Sequence, residues 1–167
     1  MRVLVAEDDV DENNLYRVAL RAKGHIVTTT RNGKECVRVY KEEMAKTDLY
    51  EVPFDAVVLD YAMPEMDGLE AAKDILALKK DQRLIIVTAY VRETLKASVQ
   101  ELRQVVSIIE KPFVPDLLTK VVEDASTLRE LAEISKMPTV RGNNTHTDVQ
   151  ITQLHAVLKR RQKIGLT

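Results

Sequence analysis

Short apolar runs of strand length alternate along this chain with longer segments in which apolar residues recur at helical spacing. Residues 2–6 (RVLVA) form the first run. In 13–23, Leu15, Val18, Ala19 and Ala22 follow three or four apart, the spacing of one helix face. Gly24 is placed to stop that helix. Residues 25–30 (HIVTTT) are β-branched and strand-like. Asn32-Gly33 marks a turn, and 34–44 is again helical. The alternation continues with a strand at 54–59, then a helix at 68–78 with Leu69, Ala72, Ile75 and Leu76 on one face. A strand at 84–87 (LIIV), a helix at 92–105 and a strand at 106–109 follow. Pro115, suited to a first helical turn, opens a last helix with Leu117, Leu118, Val121, Val122, Ala125 and Leu128 on one side.

Strand then helix, repeated five times, predicts a doubly wound α/β domain. Continuous apolar strands between helices imply a parallel sheet covered on both faces, with right-handed crossovers. The domain is expected to span 1–135. Residues 136–147 are rich in Pro, Gly, Asn and Thr and read as a linker. Residues 148–167 read as a short helical tail, with Asp148 as candidate cap and Ile151, Leu154 and Leu158 on one face.

Charge sharpens that division. The last 32 residues carry six cationic side chains against Asp148 alone, a net +5 that leaves the body at −6. An acidic body with a basic tail is therefore expected. Across the 167 residues the hydrophobic share of 45% is that of a globular protein, not a disordered one. Cys36 is the one cysteine, which excludes an internal disulfide framework and fits a reducing compartment. The amino-terminal apolar run stops at Glu7, too short for a signal peptide, and no run reaches the roughly 18 apolar residues of a membrane span. The expectation is a soluble, cytoplasmic protein.

The polar residues fall at the strand ends. The first strand runs into Glu7-Asp8-Asp9, the third into Asp60, the fourth into Thr88 and the fifth into Glu110-Lys111-Pro112. Open parallel sheets bind ligands beyond the carboxyl ends of their strands. If these strands are neighbours, carboxylates, a hydroxyl and an ammonium converge. Clustered carboxylates call for a cation among them. Hard oxygen donors suit Mg²⁺, and no Cys/His cluster offers a zinc site. An aspartate can accept a phosphoryl group, while a metal, a lysine and a hydroxyl offset its charge.

The segments VLVAEDD, VVLDYAMPEMDGLE, IIVTAY and IIEKPF resemble the response-regulator receiver domain of two-component signalling. The resemblance covers residues 2 to about 125. It implies a flavodoxin-like fold, a five-stranded parallel sheet in the order 2-1-3-4-5, here with a short C-terminal helical extension. It implies that Asp60 is the phospho-acceptor, taking its phosphoryl group from a histidine kinase or phosphotransfer protein. Glu7 and Asp8 match the acidic pair, Asp8 as a direct Mg²⁺ ligand, with Asp60 and the Ala62 backbone carbonyl completing the protein's share of the metal shell. Thr88 matches the switch hydroxyl, and Lys111 the lysine that pairs with Asp60. Lys111-Pro112 matches a bond that is usually cis in the family. Gly68 is expected to give the loop after the acceptor its backbone freedom. Such a protein is a phospho-acceptor that assists its own phosphorylation and dephosphorylation rather than an enzyme. Its output, with no complete effector domain, is protein–protein interaction.

Two departures stand out. The family often carries Tyr or Phe three residues before the lysine, where this chain has Ile108. The stretch before the fifth strand reads Leu102-Arg103-Gln104-Val105-Val106 and lacks the common Gly-Ala step.

Plainer readings compete at single residues. Asp9 reads as a structural acid or a group that supports the metal ligands without touching the metal, and Asp67 as a turn residue. Cys36 reads as a small buried hydrophobe, and His25, His146 and His155 have no metal or phosphorelay spacing. Tyr90 either shields the phosphoryl group or flanks the output face. An aspartyl-nucleophile hydrolase of the haloacid-dehalogenase kind needs a second Asp two residues on, where Ala62 stands. The tail leaves open a solvated charged face, nucleic-acid phosphate contacts by Lys159, Arg160, Arg161 and Lys163, or docking by its apolar face. Leu131 and Ile134 would extend the last helix far enough to pair two subunits in a homodimer. A receiver-shaped scaffold that is never phosphorylated is the remaining alternative.

Overall fold

A computed structural model of the chain describes residues 1–48, 51–89 and 106–124. Five parallel strands form one sheet in the order β2-β1-β3-β4-β5. They are β1 (Arg2–Ala6), β2 (Ile26–Thr30), β3 (Ala56–Asp60), β4 (Leu84–Thr88) and β5 (Val106–Glu110). The helices α1 (Val10–Ala22), α2 (Gly33–Met44) and α3 (Gly68–Leu78) connect β1 to β2, β2 to β3 and β3 to β4. A further helical segment covers 115–124. This is the flavodoxin-like topology expected from the sequence. The expected helix 92–105, Tyr90, the helix extension through Leu131 and Ile134, the linker 136–147 and the tail 148–167 lie outside the described residues. By internal contacts the chain divides into Met1–Val122 and Glu123–Thr167; of the second unit only 123 and 124 are described. Among the described residues no helix is long and apolar enough to cross a membrane.

Every residue of β3 and β4 is buried, as continuous apolar strands inside a two-sided sheet require. The alternation of side chains along each strand divides the core in two. Leu4, Ala6, Val57 and Leu59 face Cys36, Tyr40, Ala72 and Ile75 of α2 and α3. Val3, Val5, Val58, Ile85 and Val87 face Tyr16 and Leu20 of α1 and Leu118 and Val122 of the segment 115–124. Each fully buried Leu or Ile contributes about 1.5–3 kcal/mol relative to exposure. The edge strand β2 is less covered: Val27 is buried while Ile26 is exposed.

Strand and helix limits fall within a residue or two of expectation, except at α1. That helix begins at Val10, three residues early, because the Asp9 carboxylate accepts the N–H groups of Asp11 and Glu12 and caps it. Its inward face also differs. Asn13, Tyr16 and Leu20 are buried, whereas Leu15 and Val18 are exposed. Asn13 is held inside by hydrogen bonds from its Nδ2 to the carbonyls of Glu7 and Thr30, both 2.9 Å. These join the ends of β1 and β2. Leu117 likewise lies exposed while Leu118 and Val122 face the core.

Candidate functional site

The strand order brings the carboxyl ends of β1, β3, β4 and β5 side by side. Glu7 and Asp8 follow β1, Asp60 ends β3, Thr88 ends β4 and Lys111 follows β5. Backbone bonds fix these ends. Lys111 N–H donates to the Thr88 carbonyl at 2.7 Å, and Tyr61 N–H to the Val87 carbonyl at 2.7 Å. The Lys111-Pro112 bond is cis.

One carboxylate oxygen from each of Glu7, Asp8 and Asp60 can be chosen so that all lie within 4.8 Å of one another. Lys111 Nζ donates to Asp60 Oδ1 at 2.7 Å and to Glu7 Oε2 at 2.9 Å. It also meets Glu12 Oε2 at 2.5 Å. The second oxygen of Asp60 accepts the Ala62 N–H at 2.8 Å. Glu7, Asp60 and Thr88 are buried. Arg31 donates to the Asp8 carbonyl at 3.1 Å.

The turn after β3 is positioned by close backbone packing. Gly68 does not take the left-handed backbone conformation; in this turn that belongs to Glu65, at φ 67°. Gly68 is instead required by contact, since a Cβ there would lie 2.2 Å from the Asp60 carbonyl oxygen. The expectation of backbone freedom at Gly68 is thus corrected to one of space. Gly33 is similar: its Cβ would lie 2.6 Å from the Met66 carbonyl oxygen, so the start of α2 supports the same turn.

The family model for the response regulator receiver domain matches residues 3–123. The chain belongs to the response regulator receiver family. It is 30% identical over 121 residues to the response regulator receiver protein CpdR of Brucella abortus, covering 72% of this chain and 92% of that protein. It is 39% identical over 95 residues to an uncharacterized 14.6 kDa protein of Leptolyngbya boryana, covering 56% of this chain and 66% of that one. A CheY-like receiver domain structure from Methanospirillum hungatei shares the fold, with TM-score 0.64 and 24% identity, covering 78% of this chain and 97% of that one.

In this receiver, three carboxylates (Glu7, Glu12 and Asp60) bond the Lys111 ammonium, and Asp8 offers an oxygen within 4.8 Å of those of Glu7 and Asp60. Burial first, and neighbouring charge after it, moves the titration of the buried acids. Burial, with the charge of Asp60 adding to it, pushes Glu7 up to about 7 against the pull of Lys111. Burial also raises Asp60, partly offset by Lys111. Burial acts to lower Lys111, yet its bonds to Asp60, Glu12 and Glu7 carry it well above the usual lysine range. Glu12 moves the other way: burial is outweighed by hydrogen bonds from Lys111 and Tyr16, which lower it. Clustered hard oxygen donors with surplus negative charge fit Mg²⁺, and the three carboxylates within 4.8 Å would hold it.

The plain readings of single residues hold where the structure reaches them. Asp9 is the α1 cap, and Asp67 caps α3 in a reciprocal capping box with Glu70. Cys36 is fully buried. His25 is buried just before β2, and His146 and His155 lie outside the described residues. Ile108 is partly buried against Ile86, with Tyr61, Leu69 and Val106 around it. Glu12 was not singled out from the sequence. Its spacing from Asp9 reads as a local capping pair, which hides a contact made with a residue 99 positions away.

Proposed function

We propose that this receiver accepts a phosphoryl group on Asp60 from the phosphohistidine of a histidine kinase or phosphotransfer protein. The observation that supports it best is the Lys111 ammonium seated on Asp60 and Glu7 beside the Glu7-Asp8-Asp60 cluster. An Asp60 oxygen attacks phosphorus and the P–N bond breaks. Its electron pair stays on the donor imidazole, and an acyl phosphate forms on Asp60. Lys111 shifts from Asp60 to a phosphoryl oxygen, and the Thr88 hydroxyl donates to another. A Mg²⁺ ion, when bound by Glu7, Asp8, Asp60 and the Ala62 carbonyl, supplies positive charge that offsets the transferring group. The Ala62 N–H holds the Asp60 carboxylate in place for the attack.

Phosphorylation then biases a two-state equilibrium at the Thr88 and Ile108 face, and the output is a change in protein–protein binding. Ile108 packs on Ile86, so an aliphatic side chain stands where an aromatic would swing. A second reading rests on the net +5 charge of the last 32 residues, carried in the tail by Lys159, Arg160, Arg161 and Lys163: salt-dependent DNA binding lost on deleting 148–167 would support it.

The test is intact mass after incubation with Mg²⁺ and acetyl phosphate, with Asp60→Asn as control. The expected result is one phosphoryl gain in the parent and none in the variant. A parent that gains nothing from acetyl phosphate or a phosphorylated kinase, and binds neither Mg²⁺ nor beryllofluoride, overturns the reading in favour of an unphosphorylated scaffold.

A further inference from the structure

Three described helices begin with the same local pattern, a capping Asp or Asn followed three residues later by Glu. They are Asp9-x-x-Glu12 in α1, Asn32-x-x-Glu35 in α2 and Asp67-x-x-Glu70 in α3. The default use of that Glu is to reach back to a free backbone N–H at the helix start. Glu70 does so, accepting from Asp67 N–H at 3.4 Å. Glu35 does so one residue further out, accepting from Arg31 N–H at 2.9 Å. Glu12 does not. The Asp9 N–H it would accept goes instead to Glu7 Oε1 at 3.2 Å. Glu12 is thereby released, and its carboxylate turns to Lys111 Nζ.

That contact completes a tripod. A lysine ammonium has three N–H groups and no acceptor. Here three carboxylate oxygens stand within 2.9 Å of Nζ, from Asp60, Glu7 and Glu12. Glu12 is itself fixed, since Tyr16 donates its hydroxyl to the same Oε2 at 3.0 Å. Tyr16 is buried and stacks on Phe113, two residues beyond Lys111, with ring centroids 5.5 Å apart. Asp60 and Glu7 both belong to the acidic cluster that surrounds the reaction. Glu12 is the one leg of the tripod that lies outside that cluster.

We propose that Glu12, fixed by Tyr16, is a positioning residue that holds the Lys111 ammonium at the acceptor while Asp60 is being phosphorylated. This rests on the acceptor reading of Asp60. When Asp60 exchanges its bond to Lys111 for one to phosphorus, the ammonium loses one leg of its tripod and must find a phosphoryl oxygen. With Glu12 anchored on α1, the side chain pivots about a fixed point rather than searching, which retains the geometry that phosphoryl transfer depends on.

The experiment uses the full chain as parent, Glu12→Gln, Tyr16→Phe and Glu70→Gln. The last is a cap variant with the same sequence pattern and no contact with Lys111. Two quantities are read: the ¹⁵N-ammonium NMR signal of Lys111 and its hydrogen exchange in the resting protein, and the rate of phosphoryl gain from acetyl phosphate with Mg²⁺. Glu12→Gln is expected to speed ammonium exchange markedly and to slow phosphoryl gain about two- to fivefold, the scale of one partly exposed ion pair. Tyr16→Phe should shift both in the same direction by less, and Glu70→Gln should shift neither. The proposal is overturned if the parent shows no held ammonium or if Glu12→Gln loosens it with transfer unchanged. It is equally overturned if Glu12→Gln changes neither quantity or if Glu70→Gln matches it. A parent that accepts no phosphoryl group overturns the acceptor reading alone, and the ammonium exchange then decides whether Glu12 holds Lys111.

Discussion

Gly68 lies so close to Asp60 that a side-chain β-carbon at position 68 would sit 2.2 Å from the Asp60 carbonyl oxygen and 3.0 Å from its carbonyl carbon. Both are backbone atoms of the proposed acceptor, so neither can yield without moving it. Gly68→Ala should therefore destabilise the protein by about 1–3 kcal/mol through overpacking, although alanine is the better helix former. Gly24→Ala is the comparison, because Gly24 has open space around it but φ +83°. It should cost about 1 kcal/mol through backbone conformation alone. Urea unfolding gives both values, and only Gly68→Ala should also weaken Mg²⁺ binding. Equal Mg²⁺ binding by parent and Gly68→Ala would show that the turn adjusts without disturbing Asp60.

Lys111 is the one cation bonded to Glu7, Glu12 and Asp60 in the described site. Lys111→Ala leaves those acids facing one another. In EDTA the variant should lose about 1–3 kcal/mol, less than a fully buried pair would cost because Glu12 is partly exposed. Mg²⁺ restores positive charge, so its stabilising effect should be larger in the variant than in the parent. Thermal unfolding with and without Mg²⁺ checks this, and equal Mg²⁺ shifts in the two proteins would contradict it.

Strand positions were legible because β3 and β4 are apolar up to their last residues, as buried parallel strands are. The site was legible for a related reason: Asp60, Thr88 and Lys111 break those apolar runs where a doubly wound sheet opens to ligands. The inward face of α1 was not. Leu15 and Val18 look like core residues, yet Asn13 and Tyr16 take the interior because bonds to the carbonyls of Glu7 and Thr30 and to the Glu12 carboxylate satisfy their polar atoms. Glu12 and Gln82 were missed because their decisive partners, Lys111 for the one and Tyr40 and Phe54 for the other, are distant in sequence.

Gln82, fully buried in the connection before β4, has no apolar signature at all. Its Oε1 accepts the Tyr40 hydroxyl at 2.8 Å, and its Nε2 donates to the carbonyls of Phe54 at 2.9 Å and Arg83 at 3.1 Å. It ties α2 to the chain entering β3 and β4. Tyr40→Phe keeps the ring in the core but strands the Gln82 oxygen, and should cost about 1–3 kcal/mol. Tyr40→Phe with Gln82→Leu should cost less than the sum of the two single changes, as expected for groups in contact. Additive losses in urea unfolding would mean that the bond contributes nothing.

Cys36 lies fully buried between α2 and the sheet. Burial pushes its thiol up to about 12, with Thr30 pulling weakly the other way. In the unfolded chain the thiol ionises near 8.5–9. Between those values the folded state keeps a proton that the unfolded state has released, so this group makes stability fall as pH rises. The loss begins near pH 9 and ends near 12, at no more than about 1.4 kcal/mol per pH unit. Lysines and tyrosines titrate in the same range, so the comparison is between the parent and Cys36→Ala. Alanine leaves a small cavity and lowers stability at neutral pH, but its stability should fall less steeply above pH 9. Two parallel pH profiles in urea unfolding would show that Cys36 does not ionise on unfolding. The same burial predicts that a thiol reagent at pH 8 labels the folded protein only as fast as it opens, with labelling accelerated by urea below the unfolding midpoint.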